Sequence, residues 1–305
     1  MENETAARRV GLCRSWLFVG GPQARAETAG QSTADVVILE LEDFTPPAGR
    51  PAAREASPGL FRAWRAAGSL AAVRVNPLHE DGADDLAAVM AGAPDIVMLP
   101  KVAGPADIAA LGEAVTQHER NLGPPEGSVR LVPNIESACA LFQTREIASA
   151  NPRVVACLLA SEDLTADLGA PRSREGTELA FARAHFHAAC TAAGVLSIDY
   201  PYTFADEEGL RASCADARAL GYRAKSLVAP LHAPIVNAAF TPSPEDVAHA
   251  RRIAEAFERA RSRGEDRASL DGHIVEVPTY RNAQATIVIA EAFAMKLAED
   301  NNSNV

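Results

Sequence analysis

The sequence predicts an α/β fold, a (β/α)₈ or TIM barrel. Eight short apolar runs are spread along the chain, and each is near-continuous rather than alternating, the pattern of parallel strands covered on both faces. Stretches rich in Ala, Arg and Glu separate them, as helices of βα units would. The rival is a doubly wound open sheet, which wants a G-x-G-x-x-G turn after its first strand. Here that turn reads Val19-Gly20-Gly21-Pro22.

Taken in order, the expected strands are 16–19, 36–41, 71–75, 96–99, 129–132, 154–160, 195–198 and 226–229. Helical stretches between them include 50–67, 106–122, 174–193 and 206–220. This arrangement places the barrel in residues 1–240 and leaves 241–305 as a C-terminal helical extension, a lid or a subunit-exchange arm. In the extension, Ser243 is an N-cap, Pro244 takes the first helical position, and Glu245 and Asp246 complement the dipole of a charged helix running to about 263. Residues 264–280 read as extended or irregular, 282–298 as a last helix, and 299–305 as a polar tail.

Composition narrows the function classes. The 305 residues are 48% hydrophobic and 23% charged, enough for a core and against disorder. No apolar run approaches the roughly 20 residues that span a bilayer, and residues 1–14 carry no apolar stretch of a signal peptide. The net charge of −11 opposes nucleic-acid and anionic-membrane partners. Five scattered cysteines without a C-x-x-C read as reduced thiols of a cytoplasmic protein.

Barrel function gathers at the carboxyl ends of the strands. The polar residues expected there are Glu42-Asp43, Arg74 with Asn76, Lys101, Asn134 with Glu136, Glu162-Asp163, Asp199 and His232. Glu136 and Asp163, from neighbouring strands, are the metal candidates, because Mg²⁺ takes oxygen ligands and often only one or two carboxylates; the alternative is a pair of surface or salt-bridged acids. Arg74 stands inside an apolar strand, which calls for an anionic partner. It either clamps a substrate carboxylate through its planar fork or pairs structurally with Glu42 or Asp43. Lys101 binds an acid or, less readily, forms a Schiff base. His185 and His187, two apart on a helix, do not share a face and read as structural.

Several of these segments together resemble the HpcH/HpaI aldolase/citrate lyase family. They are Arg14-Ser15-Trp16-Leu17-Phe18-Val19-Gly20-Gly21, Leu41-Glu42-Asp43 with Arg54, Val73-Arg74-Val75-Asn76-Pro77, Leu99-Pro100-Lys101, Ile135-Glu136-Ser137 and Ser161-Glu162-Asp163-Leu164. Asp199-Tyr200-Pro201-Tyr202, Ala224-Lys225-Ser226, Phe240-Thr241-Pro242-Ser243 and Leu270-Asp271-Gly272 continue the same order. Within the family the chain is most similar to the citrate lyase β-subunit branch. The resemblance implies Mg²⁺ held by Glu136 and Asp163, Arg74 on the substrate, and trimers or hexamers in which a C-terminal carboxylate, Glu276, reaches a neighbouring subunit as acid/base. Glu276 stands where aspartate is usual. Phe18 replaces a tyrosine, Gly20-Gly21-Pro22 replaces P-G-N, and Ala229-Pro230 replaces H-P in elements that help hold a thioester. Arg25, just after the first strand, remains a phosphate contact, and Phe18, Arg25, Glu42 and Asp43 complete the expected substrate-binding set.

The expectation is a Mg²⁺-dependent carbon–carbon lyase, of the oxo-acid-lyase type, that reversibly cleaves a 3-hydroxy acid or its CoA thioester. Two alternatives stay open: a CoA-independent class II-like aldolase on free hydroxy-oxo acids, and a non-catalytic small-acid-binding subunit on the same fold.

Overall fold

The computed structural model describes residues 9–302. Eight parallel strands close into a barrel in sequence order. They are β1 Ser15–Gly20, β2 Val36–Glu40, β3 Leu70–Arg74, β4 Ile96–Leu99, β5 Arg130–Ile135, β6 Ala156–Leu159, β7 Leu196–Asp199 and β8 Ala224–Leu227. The intervening helices are α1 Thr28–Ser32, α2 Arg50–Ala66, α3 Ala83–Val89, α4 Pro105–Leu122, α5 Ala138–Phe142, α6 Thr144–Ser149, α7 Ser161–Asp167, α8 Ala180–Ala193 and α9 Glu207–Leu220, with α10 Ala233–Phe240 after β8. Residues up to Phe240 make one compact unit, and those from Thr241 another.

Every barrel-strand residue is buried, which explains the near-continuous apolar runs. Strand periodicity still sorts side chains into two cores. Trp16, Phe18, Val36, Ile38, Leu70, Ala72, Ile96, Met98, Val132, Leu158 and Ile198 fill the interior. Their neighbours, such as Leu17, Val37, Leu39, Val73, Val97, Leu131, Cys157 and Leu227, face the helices. Extending each interior series two residues along its strand puts Glu40 after Ile38, Arg74 after Ala72 and Asn134 after Val132. Polar side chains thereby meet inside the mouth where the strands end.

Polar residues one position off this series point outward. Asp199, expected at the rim, is the chief correction: it lies on the helix-facing side of β7, fully buried. Lys225 is its register partner on β8 and donates to Asp199 Oδ2 at 2.6 Å. Arg183 of α8 closes a bidentate pair with the same carboxylate, at 2.9 and 2.7 Å. The cluster joins two strands to a helix. Lys225 also explains why β8 begins at Ala224 rather than at the expected 226, because a lysine in an apolar run reads as its end.

The unit from Thr241 holds α11 Pro244–Ser262, capped by Ser243, whose side chain accepts from the Asp246 amide. The segment expected to be irregular contains an antiparallel hairpin, β9 Ala268–Leu270 with β10 His273–Val275. Residues Asp271 and Gly272, both at positive φ, turn between its strands. The last helix, α12, runs Val277–Asn302 and so starts earlier and ends later than its sequence pattern. Of the predicted polar tail, residues 303–305 lie outside the described residues. Among the described residues no helix is long and apolar enough to cross a membrane.

The buried cluster carries two cations on one acid, so its members are unequal. Asp199→Asn leaves Arg183 and Lys225 buried without an anion and is expected to destabilise the fold by about 3–5 kcal/mol. Lys225→Met leaves the Arg183–Asp199 pair intact and should cost clearly less. Urea denaturation of the two variants checks the order; equal losses would contradict it.

Candidate active site

Arg74 sits at the end of β3, inside the barrel mouth and nearly inaccessible. Its Nε donates to Glu40 Oε1 at 3.0 Å. Its Nη2 stands 3.1 Å from Glu42 Oε2, and its Nη1 stands 3.6 Å from Glu136 Oε1. Burial works against the guanidinium's charge, but Glu40, Glu136 and Glu42 together raise its pKa above the ordinary arginine value. The faces of Phe18 and Phe44 lie 5.0 and 5.9 Å from its Cζ.

The loop after β2 is folded around Glu40. That carboxylate accepts from the amides of Glu42 at 2.7 Å and Phe44 at 2.5 Å. Thr45 Oγ1 bonds the Glu40 carbonyl and accepts from the Gly21 amide at 2.7 Å, tying the β1 loop to the β2 loop. Gly20 and Gly21 serve this close approach. A Cβ on Gly20 would come within 2.5 Å of the Phe44 carbonyl, and one on Gly21 within 2.5 Å of Ala53. Below them, Asp85 accepts from Asn76 N and Nδ2 at 2.7 and 2.8 Å and pairs with Arg54 at 2.7 Å. Asn76 Nδ2 also donates to the Leu41 carbonyl at 2.9 Å, which joins the ends of β2 and β3.

Lys101, after β4, holds a left-handed backbone with φ of +51°, a conformation L-residues seldom adopt. There its amide donates to Glu136 Oε2 at 2.8 Å, while its ammonium contacts Glu42 Oε1 and stands 3.9 Å from Asp43. The bond to Glu42 raises the lysine pKa, the opposite of the lowered value that a Schiff-base amine needs.

Glu136 follows β5 and is buried; Asp163 lies in the first turn of α7, half-buried. Burial pushes the Glu136 carboxyl up to about 7; Arg74 and the Lys101 amide oppose the rise, and the nearby charges of Asp163 and Glu42 add to it. The mouth thus gathers five acids, Glu40, Glu42, Asp43, Glu136 and Asp163, around Arg74 and Lys101. Such a site is short of positive charge. Its donors are all oxygens, which suit a hard divalent cation. Among the described residues no group of three or more His, Cys, Asp or Glu side chains forms a ready cage. An ion on Glu136 and Asp163 would complete its shell with water and substrate oxygens, as Mg²⁺ commonly does.

Beside Asp163, Glu162 Oε1 accepts from Ser161 Oγ at 3.2 Å, Arg172 Nε at 3.3 Å and Thr203 Oγ1 at 3.2 Å. Arg172 stacks on Tyr200 at 5.0 Å and pairs with Glu178 at 2.8 Å. One guanidinium therefore ties the turn carrying Asp163 to the loops before α8 and after β7.

A family model described as HpcH/HpaI aldolase/citrate lyase matches residues 14–230, most of the barrel. The chain belongs to the HpcH/HpaI aldolase/citrate lyase family. It is similar to the citrate lyase subunit beta of Escherichia coli strain K12, with 33% identity over 93% of this chain and 95% of that one. The L-malyl-CoA/beta-methylmalyl-CoA lyase of Rhodobacter capsulatus shares 32% identity, over 94% of this chain and 96% of that one. Among solved structures it is similar to the protein CitE of Mycobacterium tuberculosis in complex with magnesium, acetoacetate and coenzyme A. There the TM-score is 0.70, with 31% identity over 92% of this chain and 98% of that one.

In this member of the HpcH/HpaI family the barrel brings Phe18, Glu42, Asp43, Arg74 and Glu136 to one mouth, with Asp163 near Glu136. Arg25 is exposed, and its guanidinium donates to the carbonyls of Pro22 and Ala24, at 2.9 and 2.8 Å. Glu276 lies in the unit from Thr241, exposed between β10 and α12. His187 Nδ1 meets Ser197 Oγ at 2.8 Å, away from the mouth. Sequence reasoning places Glu40 with Glu42 and Asp43 as a residue that orients Arg74, as the 3.0 Å bond shows, but leaves out Phe44. Glu40 shares a strand face with Glu42 two residues on, and an acid closing an apolar run is the signal that marks it. Nothing in the sequence singles out Phe44.

The Glu178 link titrates in a predictable direction. Burial works against its charge, but the Ser173 hydroxyl and amide and then Arg172 hold its pKa at about 2, from an ordinary 4.5. A carboxylate lowered on folding stabilises the native state fully above about pH 4.5, and the contribution fades as pH falls through 2. The stability gap between the native protein and Glu178→Gln, followed by denaturation from pH 6 to 2, is expected to shrink as pH falls. A gap that widens would contradict the pairing.

Proposed function

We propose that this chain is a Mg²⁺-dependent carbon–carbon lyase that reversibly cleaves a 3-hydroxy acid or its CoA thioester. The observation that carries this reading is the buried Arg74 standing 3.6 Å from Glu136, a carboxyl that also feels the charge of nearby Asp163; the fork suits an anion and the two acids suit a cation. The relatives named above, a citrate lyase subunit and a malyl-CoA lyase, and the magnesium in the CitE complex support it.

Glu136 and Asp163 would hold the ion, which when bound supplies Lewis-acid polarisation of a substrate oxygen. Arg74 grips the oxo-acid fragment and meets negative charge that develops on its oxygen as the carbon–carbon bond breaks. Glu40, Glu42 and the surrounding amides keep the guanidinium fixed, so it need not reorganise during the reaction. Lys101 holds Glu136 through its amide and balances Glu42 through its ammonium. Phe18 walls the site, and Asp43 lies at its entrance. Glu276 carries the proton to or from the carbon released by cleavage, reaching in from a neighbouring copy of a homotrimer or hexamer. Its exposed carboxylate is free for that task. Arg25 remains the candidate for a thioester's phosphate. Five free thiols fit a reducing, cytoplasmic setting.

A second reading, an aldolase on free hydroxy-oxo acids without CoA, draws on Gly20 and Gly21. Their loop packs so closely on Phe44 and Ala53 that its shape is already committed. A panel of CoA thioesters run beside the free acids separates the two.

Calorimetry with Mg²⁺ and pyruvate or oxaloacetate is expected to show saturable binding that Glu136→Gln and Asp163→Asn abolish. Arg74→Lys, which keeps the charge but loses the fork, should lower kcat/KM by about 10²-fold. Glu276→Gln should lower kcat while leaving Mg²⁺ binding intact. Full metal-dependent activity in the Glu136 and Asp163 variants would overturn the proposal.

A further inference from the structure

The mouth has one aromatic ring that the mechanism leaves unused. Phe44 is 45% exposed although it stands beside a buried guanidinium. Its backbone is held by the bond from its amide to Glu40, and its carbonyl lies so near Gly20 that a Cβ there would come within 2.5 Å of it. The Phe18 ring meets it edge to face with centroids 6.4 Å apart. Two aromatic rings thus form a fixed apolar wall on the β1–β2 side, across from the acids of β5 and α7. An exposed phenylalanine held this firmly is solvated unfavourably until something apolar covers it.

Charge on that side points the same way. Glu40, Glu42 and Asp43 all lie there. Lys101 is committed to Glu42, and Arg74 is shared among Glu40, Glu42 and Glu136. Arg50 and Arg54 are drawn off to Asp81 and Asp85, and Arg25 to carbonyl oxygens. A substrate carboxylate placed against Phe44 would lie on the side of Glu40, Glu42 and Asp43, whose neighbouring cations are already engaged.

We propose that Phe44, with Phe18, is a specificity-determining residue that receives a short alkyl substituent of the oxo-acid fragment and disfavours a second carboxylate in the same place. The preferred fragment is then a 2-oxo monocarboxylic acid bearing an alkyl group. This inference rests on the reading that Arg74 and the Glu136–Asp163 pair bind the oxo acid.

The test is calorimetry in Mg²⁺ with glyoxylate, pyruvate, 2-oxobutyrate and oxaloacetate. Affinity is expected to rise roughly fourfold per added carbon along the first three, the gain for burying one methylene. Oxaloacetate should bind more weakly than 2-oxobutyrate. Phe44→Ala should flatten the gradient, and Phe44→Leu should keep most of it, with unchanged Tm confirming the fold of each. If Phe44→Ala does not fold, the native gradient and Phe44→Leu decide. A flat native series, a native preference for oxaloacetate over 2-oxobutyrate, or a gradient that survives in Phe44→Ala would overturn the inference while leaving the site intact. Undiminished binding of all four acids to Glu136→Gln would instead overturn the functional reading beneath it.

Discussion

The organising constraint is a guanidinium buried inside the mouth of a closed barrel. A charge there is tolerated only with acids around it, and Arg74 has Glu40, Glu42 and Glu136 in a ring drawn from two other strands. That ring fixes where the loops after β2, β4 and β5 must lie. The Glu40 carboxylate in turn shapes the β2 loop by collecting two of its amides. The left-handed backbone at Lys101 is explained by the same demand, because it aims an amide at Glu136.

Once Arg74 is satisfied, acid remains in excess. Two carboxylates, Glu136 and Asp163, are near enough for the charge of the second to be felt by the first, whose pKa burial raises. In the function proposed for it, a site so arranged is preorganised for a cation and, through it, for an anionic fragment. The preorganisation extends outward, because Glu162 and Arg172 anchor the Asp163 turn to two further loops. The geometry of the mouth is therefore a property of loops locked by ion pairs, mounted on rigid strand ends.

The same strand periodicity that loads the mouth also separates its charges from those behind the strands. Arg74 and Asp199 both end barrel strands, in similar apolar settings. One faces inward among site acids, and the other faces the helices and ties Lys225 to Arg183. A shift of a single residue along a strand changes which of the two cores a side chain enters.

Much of this was legible from the residues alone. Eight apolar runs separated by amphipathic stretches specify a parallel barrel, because strands buried on both faces admit no alternation. Arg74 within such a run demands acids, and the ordered motifs from Arg14 to Asp163 mark the family. The hairpin in residues 268–275, the early start of the last helix and the outward direction of Asp199 were not legible. Nor was the wall made by Phe44. Local sequence carries period and propensity, but the face a strand-end residue presents depends on register between strands distant in the chain. Only closure of the barrel sets that register, so the inventory of charges belonged to the sequence and their pairing to the tertiary structure.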